Sequence, residues 1–124
     1  MFQYAVKVVR DHLADNLDGI RVATEVPAVR PAQLVTITSV PAGSSDKPEH
    51  LAWRRLIVHC WDTTEFNTAT LSEQVRELLL SIRHTGVGVR KVVFVGEPGK
   101  YNDPDDDAPR FQMTVDLLMR ASHN

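Results

Sequence analysis

Cysteine is nearly absent from the 124-residue sequence, in which Cys60 is the single example. One cysteine excludes an internal disulfide and any site that needs two thiolates. Long apolar runs are absent too: none approaches the roughly 20 residues that cross a bilayer, so we expect no membrane partner. The sequence also has no basic excess, since its formal net charge is −2, whereas proteins that grip nucleic acid usually carry one.

The composition that remains is typical of a globular domain. Hydrophobic residues make up 43% of the chain and charged residues 24%. This is enough apolar material to bury a core, and the net charge is too small for disorder. A chain of this length usually folds as one unit, so we expect a single domain over residues 1–124.

Two segments have apolar residues at the spacing of one helix face. Residues 2–17 place them at steps of three and four, and Gly19 follows as a residue suited to the left-handed conformation that ends a helix. The second segment runs to Ile82, with N-cap candidates at residues 62–64 and a capping box of Thr70 and Glu73 one turn later. Both segments are predicted to be amphipathic helices.

Five segments have the composition or the alternation of β-strands: residues 20–26, 33–40, 53–61, 89–95 and 110–120. The order α-β-β-β-α-β-β predicts an α/β (α+β) fold, a two-layer sandwich in which two helices cover one face of a mixed or mostly antiparallel sheet. Short links predict an antiparallel meander of the first three strands, and the second helix is expected to make a right-handed crossover from the third strand to the fourth. Residues 96–108 contain five acids and are predicted to form a long exposed loop without apolar anchors.

No group of residues predicts catalysis, a cofactor or a metal. His59 and Cys60 are neighbours in a strand, so their side chains point to opposite faces and cannot act together as base and nucleophile. The aspartates of residues 103–107 match the first three ligands of a calcium loop, but Ala108 stands where glycine is needed and Thr114 where glutamate is needed. We therefore expect no catalytic, cofactor-binding or metal-binding residue, and no enzymatic activity.

Four patches, taken in order and with their spacing, carry a resemblance to a known family. They are Gly19-Ile20-Arg21-Val22 with Val26-Pro27, Arg30-Pro31 before the strand at 34–38, Leu56-Ile57-Val58-His59-Cys60-Trp61 before a helix, and Asn102-Asp103-Pro104 with Pro109-Arg110-Phe111-Gln112. With the helix that precedes the first patch and the strand that continues the last one, the resemblance runs from about residue 2 to residue 120, nearly the whole chain. In these patches the sequence resembles the tail terminator proteins of long-tailed (siphovirus-type) bacteriophages.

This resemblance implies a structural role in the virion. Subunits of this family form a ring, typically of six copies, that caps the head-proximal end of the tail tube, stops tube polymerisation and joins tail to head. The implied partners are further copies of the chain, the tail tube protein and a head-closure or connector protein, while DNA passes through the lumen without specific binding. Assembly takes place in the cytoplasm of the host bacterium. The alternatives are another head–tail joining protein of the neck, or a small-ligand binding domain, which requires a deep apolar pocket near His59 or Trp61.

Candidate interface residues come from the first and last strands and from the acidic loop. In the alternating strand 110–120, Leu118 is an apolar residue on an otherwise polar face, where it is useful only at an interface. Asp116 and Arg120 on that face carry both signs of charge and are expected to orient neighbouring subunits, and the acidic loop faces either the lumen or the tube. The predicted assembly interface consists of Arg21, Glu25, Asp103, Asp105, Asp106, Asp107, Arg110, Asp116, Leu118 and Arg120.

Overall fold

The computed structural model describes residues 1–122 and contains two α-helices and five strands. In chain order they are α1 (Ala5–Asn16), β1 (Arg21–Ala23), β2 (Leu34–Val40), β3 (Leu51–Trp61), α2 (Glu65–Ser81), β4 (Val89–Lys100) and β5 (Arg110–Arg120). A short 3-10 turn, Ile82–His84, continues the end of α2. The predicted α+β class and the predicted element order are confirmed.

The sheet has the strand order β1-β2-β3-β5-β4. All neighbouring strands are antiparallel except β1 and β2, which pair in parallel with Arg21 beside Leu34. The predicted meander of the first three strands is therefore wrong at its first pair. The connection at 24–33 contains Pro27 and Pro31, which keep the chain extended and carry it back to the end of the sheet where β1 began.

The connection from β3 through α2 leads to β4, which is not next to β3 in the sheet. Strand β5 pairs with both β3 and β4, so β3 and β4 run parallel to each other with β5 between them. The last strand of the chain thus enters the middle of the sheet. It forms the longest ladder with β3, from Leu51 beside Arg120 to Trp61 beside Arg110.

The two helices pack on one face of the sheet and enclose the core. The buried residues of this layer recur at the predicted helical spacing: Val6, Val9 and Leu13 in α1, and Leu71, Val75 and Leu79 in α2. They meet alternate residues of the central strands, Leu56, Val58, Cys60, Met113, Val115, Leu117 and Met119. Each fully buried side chain of this size contributes about 1.5–3 kcal/mol of hydrophobic free energy, so this layer holds the two helices on the sheet.

The ends of the helices follow the local sequence. Thr64 is the N-cap of α2, and its hydroxyl accepts a hydrogen bond from the backbone N–H of Asn67 at 3.1 Å. The predicted capping box of Thr70 and Glu73 is wrong, because Thr70 lies inside α2 and its hydroxyl donates to the carbonyl of Phe66. After α1, Gly19 has φ +73°, the left-handed conformation that was predicted there.

Strand β4 is longer than predicted and continues through Lys100. Its pairing with β5 shifts register between Phe94 and Gly96 and again between Gly96 and Gly99, and such irregular edge strands resist pairing with other chains. Pro98 is tolerated because β4 is at the edge of the sheet. The predicted loop at 96–108 is therefore wrong in its first part, and the connection that remains is residues 101–109, called the acidic turn below.

Candidate assembly face

The side of the sheet opposite the helices forms a second surface, called the open face below. In β3, Leu56 and Val58 point into the helix-covered core, so the alternation of a strand directs Arg55, Ile57 and His59 to the other side. The pairing of β3 with β5 and of β5 with β4 extends this surface across three strands. Its members are Trp53, Arg55, Ile57, His59, Lys91, Val93, Gln112, Thr114, Asp116, Leu118 and Arg120.

An ion pair fixes the middle of the open face. Arg55 and Asp116 are directly opposite each other on β3 and β5. The Arg55 guanidinium donates to both carboxylate oxygens of Asp116, with Nε–Oδ1 at 2.8 Å and the second nitrogen–Oδ2 distance at 3.0 Å. These hydrogen bonds raise the pKa of Arg55 above its ordinary value. Such a bidentate pair fixes the geometry of both side chains, so it gives the open face a defined shape.

Apolar side chains surround this ion pair. Trp53 and Leu118 are opposite each other across β3 and β5, and both are half-buried, as is Ile57. Val93 on β4 remains 39% exposed. The predicted position of Leu118, on the face opposite the core, is confirmed. This sheet face is neither fully polar nor closed by a second layer, so part of its apolar surface is open to solvent.

The acidic turn covers one end of the open face, where β3 ends at Trp61 and β5 begins at Arg110. This end is called the upper end, and the opposite end, where β3 begins and β5 ends, is called the lower end. Trp61 points to the same side as His59 but is only 1% exposed, because the turn lies over it. The indole Nε1–H donates to Oδ2 of Asp103 at 3.2 Å, and Oδ1 of Asp103 accepts the backbone N–H of Asp105 at 2.9 Å. The sequence predicted a segment without apolar anchors, and the anchor that holds it is polar, a carboxylate that bonds to a distant tryptophan.

Two arginines complete this cover. The guanidinium of Arg110 is 5.6 Å from the Trp61 ring centre and that of Arg30 is 5.9 Å, distances at which a cation is attracted to the aromatic face. Arg110 also donates from Nε to the carbonyl of Tyr101 at 2.9 Å, and Arg30 forms an ion pair with Asp106 at 2.8 Å. The upper end of the open face is thus an ordered polar cluster around a buried indole.

His59 lies between this cluster and the ion pair. One of its ring nitrogens is 2.7 Å from the side-chain oxygen of Gln112, and its ring meets Trp61 edge to face at 5.8 Å. Burial is the main cause that lowers the pKa of His59 below its usual value, against the opposing effect of the Gln112 hydrogen bond. Cys60 points into the core and is completely buried, and burial raises the pKa of its thiol. The two residues face opposite sides of the sheet, as the sequence predicted.

The ten residues predicted for an interface fall into three groups. Asp116, Leu118, Arg120 and Arg21 are on the open-face side of their strands. Asp103, within the acidic turn, and Arg110, directly after it, are buried and make structural contacts, while Asp105, Asp106 and Asp107 are exposed on that turn. Glu25 is exposed but follows the end of β1, so its predicted place in that strand is wrong. Ile57 and the Arg55–Asp116 pair were not predicted for this face, because cross-strand partners depend on register.

Two grooves on the surface border α1. One of about 620 Å³ is lined by Tyr4, His12 and Val87, and another of about 700 Å³ by residues that include Asn16 and Glu77. His59 and Trp61 line neither of them. Among residues 1–122, no three His, Cys, Asp or Glu side chains are grouped so that they could hold a metal ion. Neither α-helix in the described part of the chain is long and apolar enough to cross a membrane.

The chain is thus a two-layer α+β structure in which both helices cover one face of the sheet. The other face carries apolar side chains around an ion pair. In comparisons with known proteins, no family profile and no curated protein sequence matches this chain.

Proposed function

We propose that this chain is the tail terminator subunit of a long-tailed bacteriophage. In this role it forms a ring, of six copies as in the family that it resembles, at the head-proximal end of the tail tube. The ring stops tube polymerisation and presents a surface to the head-closure protein. The subunit is a structural protein of the virion without catalytic activity, and DNA passes through the ring without specific binding.

The observation that carries this proposal is the open face. A sheet covered by helices on one side only leaves its other side to water or to a partner. Here that side has half-buried Trp53, Ile57 and Leu118 around a fixed ion pair. An aromatic anchor and aliphatic neighbours beside oriented charges are the features of an interface centre.

A ring requires a heterologous contact, in which one patch of a subunit meets a different patch of the next copy. The open face supplies one such patch. Its location on the central strands β3 and β5 makes it rigid, and a rigid patch loses little conformational entropy on binding. Six copies of 13.9 kDa give a ring of about 83 kDa.

The proposal is tested by placing a charge in the middle of this patch. We expect Leu118→Asp to abolish ring formation and tube capping, since an interface anchor is worth about 2 kcal/mol or more per contact and an unpaired buried carboxylate adds a desolvation cost. Phe66→Asp is the matched control, because Phe66 is 78% exposed in the first turn of α2, on the helix layer. Native mass and the length of tail tubes are the two readouts.

Two results would contradict the proposal in different ways. If Leu118→Asp caps tubes at normal length, the open face is not the subunit contact. If the wild-type chain binds a portal or adaptor ring and ignores tube ends, the chain is another neck protein, which is the main alternative from the sequence.

A further inference from the structure

The lower part of the open face, where β3 begins and β5 ends, carries two cations. Lys91 on β4 is opposite Leu118 of β5, and Arg120 at the end of β5 is opposite Leu51 of β3. Both cations are exposed, and within residues 1–122 no carboxylate forms an ion pair with either. The nearby acid of the face, Asp116, is already bound to Arg55. The lower open face therefore offers two free cations beside its apolar centre.

The acidic turn carries the opposite charge. Asp106 is bound to Arg30, whereas Asp105 and Asp107 are exposed and have no cationic partner in the described part of the chain. Exposed apolar side chains adjoin them: Tyr101 at the start of the turn is 57% exposed, and Val29 beside Arg30 is 87% exposed. The turn is held in place by its bonds to Trp61 and Arg110, so these groups have fixed positions.

The two charged regions cannot neutralise each other within one chain. They lie at opposite ends of the β4–β5 hairpin, since the turn precedes Arg110 and Arg120 ends the strand. Ten residue steps of a strand span about 33 Å, several times the screening length of about 8 Å at physiological salt. A second molecule is needed to bring the opposite charges together.

We infer that the lower open face of one copy binds the acidic turn of the next copy. This inference rests on the proposed ring function and names the second patch of its heterologous contact. Asp105 and Asp107 of one copy meet Lys91 and Arg120 of its neighbour, and Tyr101 and Val29 cover the apolar centre formed by the side chains of Trp53, Ile57 and Leu118. Each patch carries two charges, the two patches are opposite in sign, and both are partly apolar.

Duplex DNA is the competing occupant of a basic face that contains a tryptophan. The acidic turn argues against it, because the turn projects on the open-face side of Trp61 and repels phosphates that approach the same surface. A contact between copies also covers the two cations. This keeps them away from DNA in the lumen, where every phosphate contact adds affinity.

The test is a charge exchange between two variants. The first variant is Lys91→Glu with Arg120→Glu, and the second is Asp105→Lys with Asp107→Lys. Each alone places like charges at every contact, so we expect each to remain monomeric and to leave tubes uncapped. In an equimolar mixture the two variants can alternate, and every contact then joins opposite charges. The glutamates on the face of the first variant meet the lysines on the turn of the second, and the native face of the second variant meets the native turn of the first. We expect the mixture to form rings in which the two variants alternate, seen by native mass spectrometry, and to cap tubes.

Circular dichroism of each variant serves as the folding control, and the association of the wild-type chain should weaken as salt is raised. If either variant alone forms rings, or if two folded variants fail to assemble when mixed, this contact is wrong although the ring proposal stands. If the wild-type chain neither self-associates nor caps tubes, the ring proposal itself fails. If a 20-base-pair duplex binds the wild-type chain and Lys91→Glu with Arg120→Glu removes that binding, the occupant is DNA and the inference is overturned.

Discussion

The anchor between Asp103 and Trp61 gives the sharpest stability prediction. Asp103→Ala removes the acceptor of the buried indole N–H and the acceptor of the Asp105 backbone N–H. Trp61 is 1% exposed, so its donor has no route to water unless the acidic turn opens. A buried donor left unpaired costs about 1–3 kcal/mol, and the loss of a partly exposed hydrogen bond about 0.5–1.5 kcal/mol.

The sum is a loss of about 1.5–4.5 kcal/mol in the free energy of unfolding, a large part of the roughly 5–15 kcal/mol that a domain has. The measurement is urea unfolding followed by far-ultraviolet circular dichroism, at a protein concentration where the chain is monomeric. Asp103→Asn retains one carbonyl oxygen and should lose less than half as much. Asp105→Ala removes an exposed neighbouring carboxylate and should stay within about 0.5 kcal/mol of wild type.

A loss below about 0.5 kcal/mol for Asp103→Ala would refute this reasoning. It would mean that the indole finds another acceptor or that the turn does not cover Trp61. The fluorescence of the tryptophans separates these cases, because opening the turn exposes Trp61 and shifts the emission to longer wavelength, whereas a replacement acceptor leaves the indole buried.

Two further predictions concern titratable groups of β3. Burial lowers the pKa of His59 in the folded chain, so the unfolded chain binds the proton more readily, and the free energy of unfolding should fall as pH drops below about 6.5. His59→Gln should flatten that dependence, and an unchanged pH profile would show that another group causes it. Burial raises the pKa of the Cys60 thiol, so a thiol reagent should modify the native chain only through its unfolded fraction. Rapid labelling of the native chain without loss of structure would contradict the assigned burial.

The positions of the helices and strands could be predicted from the sequence more reliably than the pairing of the strands. The helices, the five strands and the buried face of β5 follow from periodicity, since Met113, Val115, Leu117 and Met119 alternate with polar residues. Which strands pair, and in which direction, depends on contacts between distant segments. The parallel pairing of β1 with β2 was missed for this reason, because a short link normally joins antiparallel neighbours.

The candidate site was predicted in part for the same reason. Leu118 could be assigned to the open face from alternation alone, and Asp116 with it. That Asp116 would bind Arg55 required the register between β3 and β5, which no local pattern contains. The acidic turn was predicted to be exposed because aspartates usually are. Asp103 departs from that rule because Trp61, which is 42 positions away in the sequence, needs an acceptor.

Assembly of the wild-type chain on tail tubes is the direct test of the proposed terminator role. Purified chain is added to polymerising tail tube protein, and tube length is measured by electron microscopy while native mass spectrometry reports the mass of the bound assembly. The account predicts tubes that stop growing with one ring at one end and a bound assembly near 83 kDa, six times the chain mass of 13.9 kDa. Tubes that grow to the same length with and without the chain, and that bind none of it at their ends, would contradict the account.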